Sequence, residues 1–535
     1  MESPVRFDLI DEPWLPVRLC DGTTREVGVG EALIGAHTIA GLDIEFPSQE
    51  PALLRLLLAV CYRALEGPVD DEAWESLWTA ERLPKRPITE YLDRWRERFD
   101  LFHPVSPFFQ TPGLEPAGKD GVRPASKLIA YAPSGNNVPI FTPITDAMSV
   151  TLRPAEAARW LVERHAWGTA SDKTGAMGNP RVKDGRDTPA IGHLGWIGFV
   201  APVGRTLKET LLLNLVPWSR KLWVSIGPDD LPAWERPPTG PERKTRPPDG
   251  TTDLFTWQGR RIRLYPERRD GEVVVARVLV CAGDDVQRDA IQTVEPHTGW
   301  RMTKEKDGSR TYQPNRARVG QQVWRGLSAL LALDEQTVRA GVLSWLGAIE
   351  ECAPAQVSLL VTAAEYGTQS TTLADFLSDR LDTAVAILRR DNLAVATLAV
   401  DAASFAEDVA RALASVAAAP FLSADDQGRY RVDEGKRDYA RVARRTITEE
   451  LYGELDAPFR SFVVDLATTT CEARARSSWA EKVSDIAWAI TSRNLARLSA
   501  TDAYLGAMAE SWFLSSLARA RATFSPRQVM EEVAK

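Results

Sequence analysis

The chain is poor in the side chains that build metal and catalytic centres. Its 535 residues include five histidines, His37, His103, His165, His193 and His297, and no two stand at HxH or HxxxH spacing. A metal-dependent nuclease normally clusters such ligands. The five cysteines, Cys20, Cys61, Cys281, Cys352 and Cys471, are scattered, with no two at metal-ligand spacing. Odd and dispersed, they read as reduced, buried thiols rather than a disulfide frame or a zinc site. No Gly-x4-Gly-Lys-Ser/Thr phosphate loop and no Gly-x-Ser-x-Gly elbow occurs, which argues against an ATPase and a nucleophile-elbow enzyme. Gly28-Val29-Gly30 is a dinucleotide fingerprint without its third glycine and reads as a turn. Together these gaps predict no catalytic residue, no metal and no cofactor.

Long hydrophobic runs are also missing. Leu56 to Cys61 is stopped by Arg55 and Arg63, far short of the roughly 18 residues of a membrane helix. The opening Met1-Glu2-Ser3-Pro4-Val5-Arg6 has no apolar signal core. A cytoplasmic protein with no membrane partner is expected. An excess of positive charge is lacking too: the net charge is −8. A free DNA-binding protein is usually basic, because phosphate neutralisation supplies most of its affinity. Strong unaided binding along a duplex is therefore disfavoured, whereas a subunit working beside a more basic partner is allowed.

What remains is a soluble globular composition, 44% hydrophobic and 26% charged, long enough for about two or three domains. A strand is expected around Trp14–Leu19 with a turn at Asp21-Gly22. Helices are expected at Ser48–Leu65, with Ser48 as cap, at Thr89–Phe99 and at Pro154–His165. Gly227–Gly250 carries seven prolines and reads as an extended surface segment or linker. Arg261–Tyr265 and Val273–Val280 alternate like strands, with a hairpin turn at Glu267–Gly271. Beyond Leu373, apolar residues recur at helical spacing in the sets Leu377/Leu381/Ala384/Leu388, Phe405/Val409/Leu413/Val416, Ile447/Leu451/Leu455 (ending at Pro458), Val483/Ile486/Ile490 and Leu505/Met508/Trp512. Such stripes are buried best by antiparallel helices in a bundle. The expected fold is α+β: a large mixed domain with long loops over 1–372, then a C-terminal four-helix bundle over 373–535.

Three loops are candidates for ligand contact. In Ser171–Arg186, Gly175, Gly178 and Gly185 permit close backbone approach, and Lys173, Arg181, Lys183 and Arg186 surround them with positive charge. A flexible, solvated connection explains the same composition. Ser134-Gly135-Asn136-Asn137-Val138 can read base edges or simply cap a turn. Thr368-Gln369-Ser370-Thr371 reads as an N-cap turn or as a hairpin tip that inserts between bases. Basic and aromatic residues interleave at Trp218–Trp223 and Trp257–Arg261, a mixture suited to nucleic-acid backbone or to a subunit interface.

Particular blocks resemble the CasA family, the large subunit of the type I-E CRISPR surveillance complex Cascade. They are the opening Phe7-Asp8-Leu9-Ile10-Asp11-Glu12-Pro13-Trp14-Leu15-Pro16-Val17, the block His103–Thr111 with its Phe108-Phe109-Gln110-Thr111, Pro124–Ile129, and the Lys173–Lys183 loop. The resemblance extends over nearly the whole chain. It implies a non-enzymatic subunit that recognises a short motif (the PAM) in double-stranded target DNA from the minor groove, wedges the strands apart for guide pairing, and helps recruit a helicase–nuclease. Implied partners are the other Cascade subunits, the 5′ region of the guide RNA, the target duplex and that helicase–nuclease. The family's minor-groove loop falls on Gly175 and Gly178, with Asn179, Lys173, Arg181 and Lys183 around them. Its glutamine wedge falls on Gln369 between Thr368 and Ser370, and its guide and subunit contact on Asn136 and Asn137. Its motif-contacting lysine falls on the hairpin at Arg268 and Arg269. Some members carry a cysteine cluster nearby; Cys281 stands alone here, so no zinc is expected. Two other readings stand beside this one: a scaffold that only docks proteins, and an enzyme with dispersed residues such as His165, His193 and Asp187.

Overall fold

A computed structural model describes residues 5–525 apart from 120, 133–149, 350–353, 390, 425–426, 428, 467, 470 and 501. The chain divides into two compact units. The first comprises 1–320, 334–353 and 358–380; the second comprises 321–333, 354–357 and 381–535.

The first unit opens on strand β1 (Leu15–Leu19), where Leu15 and Val17 alternate inward. It is flanked by Thr24–Val27 and Ile39–Leu42. Gly28 starts a short helix, Val29–Ile34, rather than forming a turn, and its missing side chain has a packing cause: a Cβ there would lie 2.2 Å from the Ile10 carbonyl oxygen. Helix α1 (Gln49–Ala64) is buried on nearly every face, the signature of a core helix. Ser48 sits at its start but does not cap it, because its hydroxyl instead donates to buried Glu163 at 2.7 Å. The helix expected at Thr89–Phe99 forms over Lys85–Arg94 and tightens to a 3-10 turn at Arg96–Phe99. Helix α2 (Pro154–Trp167) starts on a proline, as expected, and packs on α1.

Strand β2 (Phe199–Val203) leads toward the proline-rich stretch, which is no linker. Trp234 within it is 1% exposed and packs on Phe99, with ring centroids 5.0 Å apart. Glu235 takes two bonds from Arg63, and Arg243 ties the segment to Asp187 and Asp285. Strands β3 (Arg260–Arg269) and β4 (Glu272–Ala282) form the expected hairpin, closing at Asp270-Gly271.

Strand β5 (Gln356–Tyr366) lies between β2 and β6 (Leu373–Ala384). Strand β6 overturns the helix expected from Leu377, Leu381 and Ala384. Leu377 and Leu381, four apart, fit a strand's period of two as well as a helix's 3.6, but the three-residue step to Ala384 fits only the helix, so the local spacing points the wrong way here. Within this strand the chain passes from the first unit to the second at Leu381.

In the second unit, α3 (Leu393–Ala418), α4 (Arg437–Asp465), α5 (Glu472–Ser499) and α6 (Ala503–Phe524) pack together as four long helices. Phe405, Val409, Leu413 and Val416 are buried as expected, and so are Ile447, Leu451 and Leu455. Two details differ. Helix α4 runs through Pro458 to Asp465, tolerating one lost backbone bond. On α6 the buried face is Gly506, Ala509, Phe513 and Phe524, while Trp512 stays 37% exposed. Cys20 and Cys471 are exposed, against the expectation of buried thiols; Cys61 and Cys281 are buried. No described helix is long and apolar enough to cross a membrane.

Candidate nucleic-acid interface

The glycine loop is built, not slack. It bridges to Cys281 of β4 through Thr174 and to Pro116 through Ala176. It then closes on itself: the Gly175 N–H donates to the Gly185 carbonyl (2.9 Å), Lys183 and Arg186 exchange both backbone bonds (2.9 Å each), and the Asp187 N–H donates to the Lys173 carbonyl (3.1 Å). The reading of a flexible connection is overturned.

Inside this frame the predicted residues take different parts. Gly175 is buried, and a Cβ on it would stand 2.6 Å from Val182 Cγ1. It is therefore a packing glycine, not a surface one. Asn179 is 6% exposed; its amide donates to Asp187 (3.0 Å) and its carbonyl oxygen accepts from the Arg181 N–H (3.1 Å). Arg181 pairs with Asp285 at 3.1 Å. Gly178 is different. It lies exposed at the tip beside Met177 (56% exposed), at φ +87°, and its N–H has no partner among the described residues. That conformation is natural to glycine and strained for other residues, and it leaves a bare amide at a tip where a Cβ would stand 3.2 Å from Pro241 Cγ. Lys183 is exposed and Lys173 half-buried.

Thr368-Gln369-Ser370 forms the tip of the β5–β6 hairpin, not a helix cap. Gln369 is exposed at φ +54° and Ser370 shares that conformation. The Gly367 N–H donates to the Thr372 carbonyl (3.0 Å), closing the tip. One bond joins the two candidate elements: the Ala170 N–H, at the entry to the glycine loop, donates to the Ser370 carbonyl at 2.8 Å.

Beneath them lies a charged foundation that sequence reasoning missed. Asp172 is wholly buried and takes Arg164 of α2, Arg260 of β3 (2.8 Å) and Lys127 (3.2 Å). Burial alone would raise its pKa, but the Arg164, Lys127 and Arg260 charges more than reverse that and hold it low. No local sequence signal marks it: Arg164 sits beside Glu163 and His165, and Arg260 within the run Gly259-Arg260-Arg261-Ile262-Arg263. The Trp257–Arg261 mixture is likewise internal: Trp257 is 3% exposed, and Arg260 and Arg261 are 2% each. It offers nothing to a nucleic-acid backbone.

Other predicted residues lie apart. Arg268 and Arg269 are exposed at the β3–β4 turn, Arg269 paired with Glu267. Strand β4 meets the glycine loop at Cys281, which is opposite Arg261. At roughly 3.3 Å per residue the turn is about 25 Å along the strand from that end. Asn136 and Asn137 lie outside the described residues. The block Phe108–Thr111 is a packing block: the Gln110 amide bridges the Leu101 carbonyl (2.7 Å) and the Leu264 N–H (2.8 Å).

His165, His193 and His297 are buried and held neutral. Burial, against the Phe109 carbonyl bond and with help from Arg260, pushes His165 down to about 3. Burial and then Arg55, which bonds His193 at 3.1 Å and pairs with Glu295, push the other two well below the usual value. Asp187 is committed to Asn179 and Arg243. Among the described residues no group of three or more His, Cys, Asp or Glu is placed to hold a metal.

An α+β unit followed by four long helices is the fold of a class of CRISPR-associated proteins. The family model described as CRISPR-associated protein Cse1 matches residues 8–490. The chain belongs to that family. It is similar over its length to the crystal structure of Cse1 from Acidimicrobium ferrooxidans, at 53% identity and TM-score 0.92, with 98% of this chain and 100% of that one covered. It is 39% identical to CasA/Cse1 of Thermus thermophilus over 272 residues, half of this chain and half of that relative. A solved chain of a CRISPR RNA-guided surveillance complex shares the fold at TM-score 0.70 and 19% identity, covering 98% of this chain and 100% of that one.

Proposed function

We propose that this chain is the large subunit of a type I-E CRISPR RNA-guided surveillance complex. In this role it reads the PAM in duplex DNA from the minor groove, helps part the strands for guide pairing, and helps recruit the helicase–nuclease in the cytoplasm. The observation that carries the reading is the bond from Ala170 to Ser370, which couples the exposed Gly178 tip to the exposed Gln369 tip. A bare glycine amide can approach a minor-groove floor closely, and an adjoining polar tip can occupy the gap where the first pair opens. Base pairing with the guide would read the rest of the target. The net charge of −8 suits a subunit held on DNA by its neighbours, since tethering raises effective concentration.

The test is a duplex titration at fixed salt with the guide-loaded complex assembled with and without this chain, on matched and scrambled motifs. Motif-dependent binding that requires the chain supports the reading. Equal binding without it leaves only a docking scaffold.

Gly178→Asp should weaken matched-duplex binding about 10–100-fold, a loss on the order of 1.4–2.7 kcal/mol, by putting bulk and negative charge at the tip. Gly178→Asp binding as tightly as wild type would remove the tip from the interface. The corresponding change at Gly175 would be a poorer probe, because its Cβ would collide with Val182. Gln369→Ala should slow strand opening about tenfold, on the order of 1.4 kcal/mol of barrier, with little change in initial binding. Stopped-flow fluorescence of a base analogue beside the motif separates the two steps, and an unchanged opening rate would end the wedge assignment.

A further inference from the structure

A small cleft opens between the hairpin tip and the base of the glycine loop. Its lining includes Lys127, Arg164, Thr169, Ser171 and Thr372, and it is shallow: the enclosed space is about 20 Å3, so a phosphate would sit at its open mouth rather than inside it. Ile129, Ala130, Ala132 and Leu373 form an apolar part of the wall, and the remaining lining is polar or cationic. Lys127, with only 10% of its side chain exposed, reaches Ser171 Oγ at 3.1 Å and Asp172 at 3.2 Å. Arg164 is 5% exposed, and its buried Nε–H has no hydrogen-bond partner among the described residues.

Charge balance around the cleft is incomplete. Three cations, Lys127, Arg164 and Arg260, converge on a single carboxylate, Asp172. Glu163 is the next nearest acid in this cluster, but burial pushes it up to about 7, against the lowering bond from Ser48. It therefore supplies only part of a charge at neutral pH. Buried cations in excess of their counter-charges are costly, and an anion entering from the open mouth would offset that cost. Hydroxyls beside an ammonium and a guanidinium are the donors a phosphate oxygen uses.

We propose that this cleft seats one phosphodiester of the nucleic-acid strand that passes the Gln369 tip. The proposal rests on the strand-opening reading of the site and adds to it a fixed point for the backbone next to the opened pair. A strand gripped by one phosphate there cannot slide back while the tip holds the gap. The shared chemistry is a phosphodiester, from either the DNA target strand or the guide RNA.

The test has two arms. In the first, thermal unfolding of the full chain is measured in inorganic phosphate and in chloride at matched ionic strength, for wild type, Lys127→Gln and Thr372→Val. Stabilisation by phosphate in wild type that shrinks in both variants is expected; equal shifts in all three, or none, overturn the anion seat. Thr372→Val removes only a hydroxyl and guards against loss of folding in Lys127→Gln. In the second arm, single neutral methylphosphonate linkages are scanned through the motif-proximal target strand and, separately, through the guide. One linkage should lower the opening rate about tenfold in the wild-type complex and not in Thr372→Val, and the strand carrying it identifies the source. If phosphate binds in the first arm but no linkage shows this dependence, the cleft holds free phosphate only and the strand seat is overturned. If the complex binds duplex equally without the chain, the function reading fails by itself, and the first arm still decides whether the anion seat exists.

Discussion

Asp172→Asn is expected to destabilise the first unit by about 3–5 kcal/mol, the usual cost of removing one partner from a buried ionic cluster. The substitution barely changes shape. It removes the counter-charge from Arg164, Arg260 and Lys127, which are buried around it, and leaves three cations facing a neutral amide. Arg260 retains its bonds to the Thr169 carbonyl (2.9 Å) and the Ala190 carbonyl (3.0 Å), so the backbone need not collapse outright. Urea unfolding followed by tryptophan fluorescence measures the loss. A change below about 1 kcal/mol would mean that water already screens the cluster. The pH sign is fixed by the depressed folded-state pKa. Asp172 contributes its stability above the unfolded value of about 3.9 and loses it as pH falls through the lower folded value. At pH 5–8 the difference between wild type and variant should therefore be flat.

The three buried histidines give a second large effect in a different window. A folded-state pKa below the unfolded value of about 6.5 means stability that is complete above that pH and lost as pH falls toward the folded value. Each histidine contributes a slope of up to about 1.4 kcal/mol per pH unit. Glu163 opposes one of them: its carboxyl is raised to about 7, so it favours the fold as pH drops from there toward about 4.3. From these four groups the expectation is a loss of up to about 2–3 kcal/mol per pH unit between roughly pH 6 and 4.5, reduced by the carboxyls of Glu50 and Asp230, which burial also raises. Denaturant midpoints from pH 8 to 4.5 measure it. His297→Gln should reduce the slope by about 1.4 kcal/mol per unit; an unaltered slope would show that His297 does not titrate on unfolding.

These two clusters mark the limit of what was legible in the sequence. Helical stripes at Phe405/Val409/Leu413 and Ile447/Leu451/Leu455 were readable because burial repeats locally along one element. So was the β3–β4 hairpin, where alternation meets an Asp-Gly turn. The stretch 373–384 was misread because the 4-3-4 spacing of Leu377, Leu381, Ala384 and Leu388 follows the helical period, and only pairing with β5, outside any local window, decides for a strand. Within the candidate site, the glycine loop and the Gln369 tip were proposed from composition and family resemblance. Their division of labour was not: Gly175 and Gly178 look alike in sequence, yet one is packed under Val182 and the other is exposed at positive φ. Asp172 joins Lys127, Arg164 and Arg260, which are spread over more than 130 residues of chain, a convergence that only the tertiary fold creates.

The closure of the glycine loop on itself makes it transplantable. Its shape is set by backbone bonds between its own ends, Lys173 with Asp187 and Gly175 with Gly185, by the Asn179–Asp187–Arg243 chain of side-chain contacts, and by anchors to Glu115, Ala117, Cys281 and Asp285 outside it. A graft of 173–187 into a relative of different motif preference should therefore keep its form, provided an arginine equivalent to Arg243 travels with it. On the proposed reading, such a graft should carry motif preference with it, provided the residues that anchor the loop at Glu115, Ala117, Cys281, Arg243 and Asp285 have counterparts in the recipient.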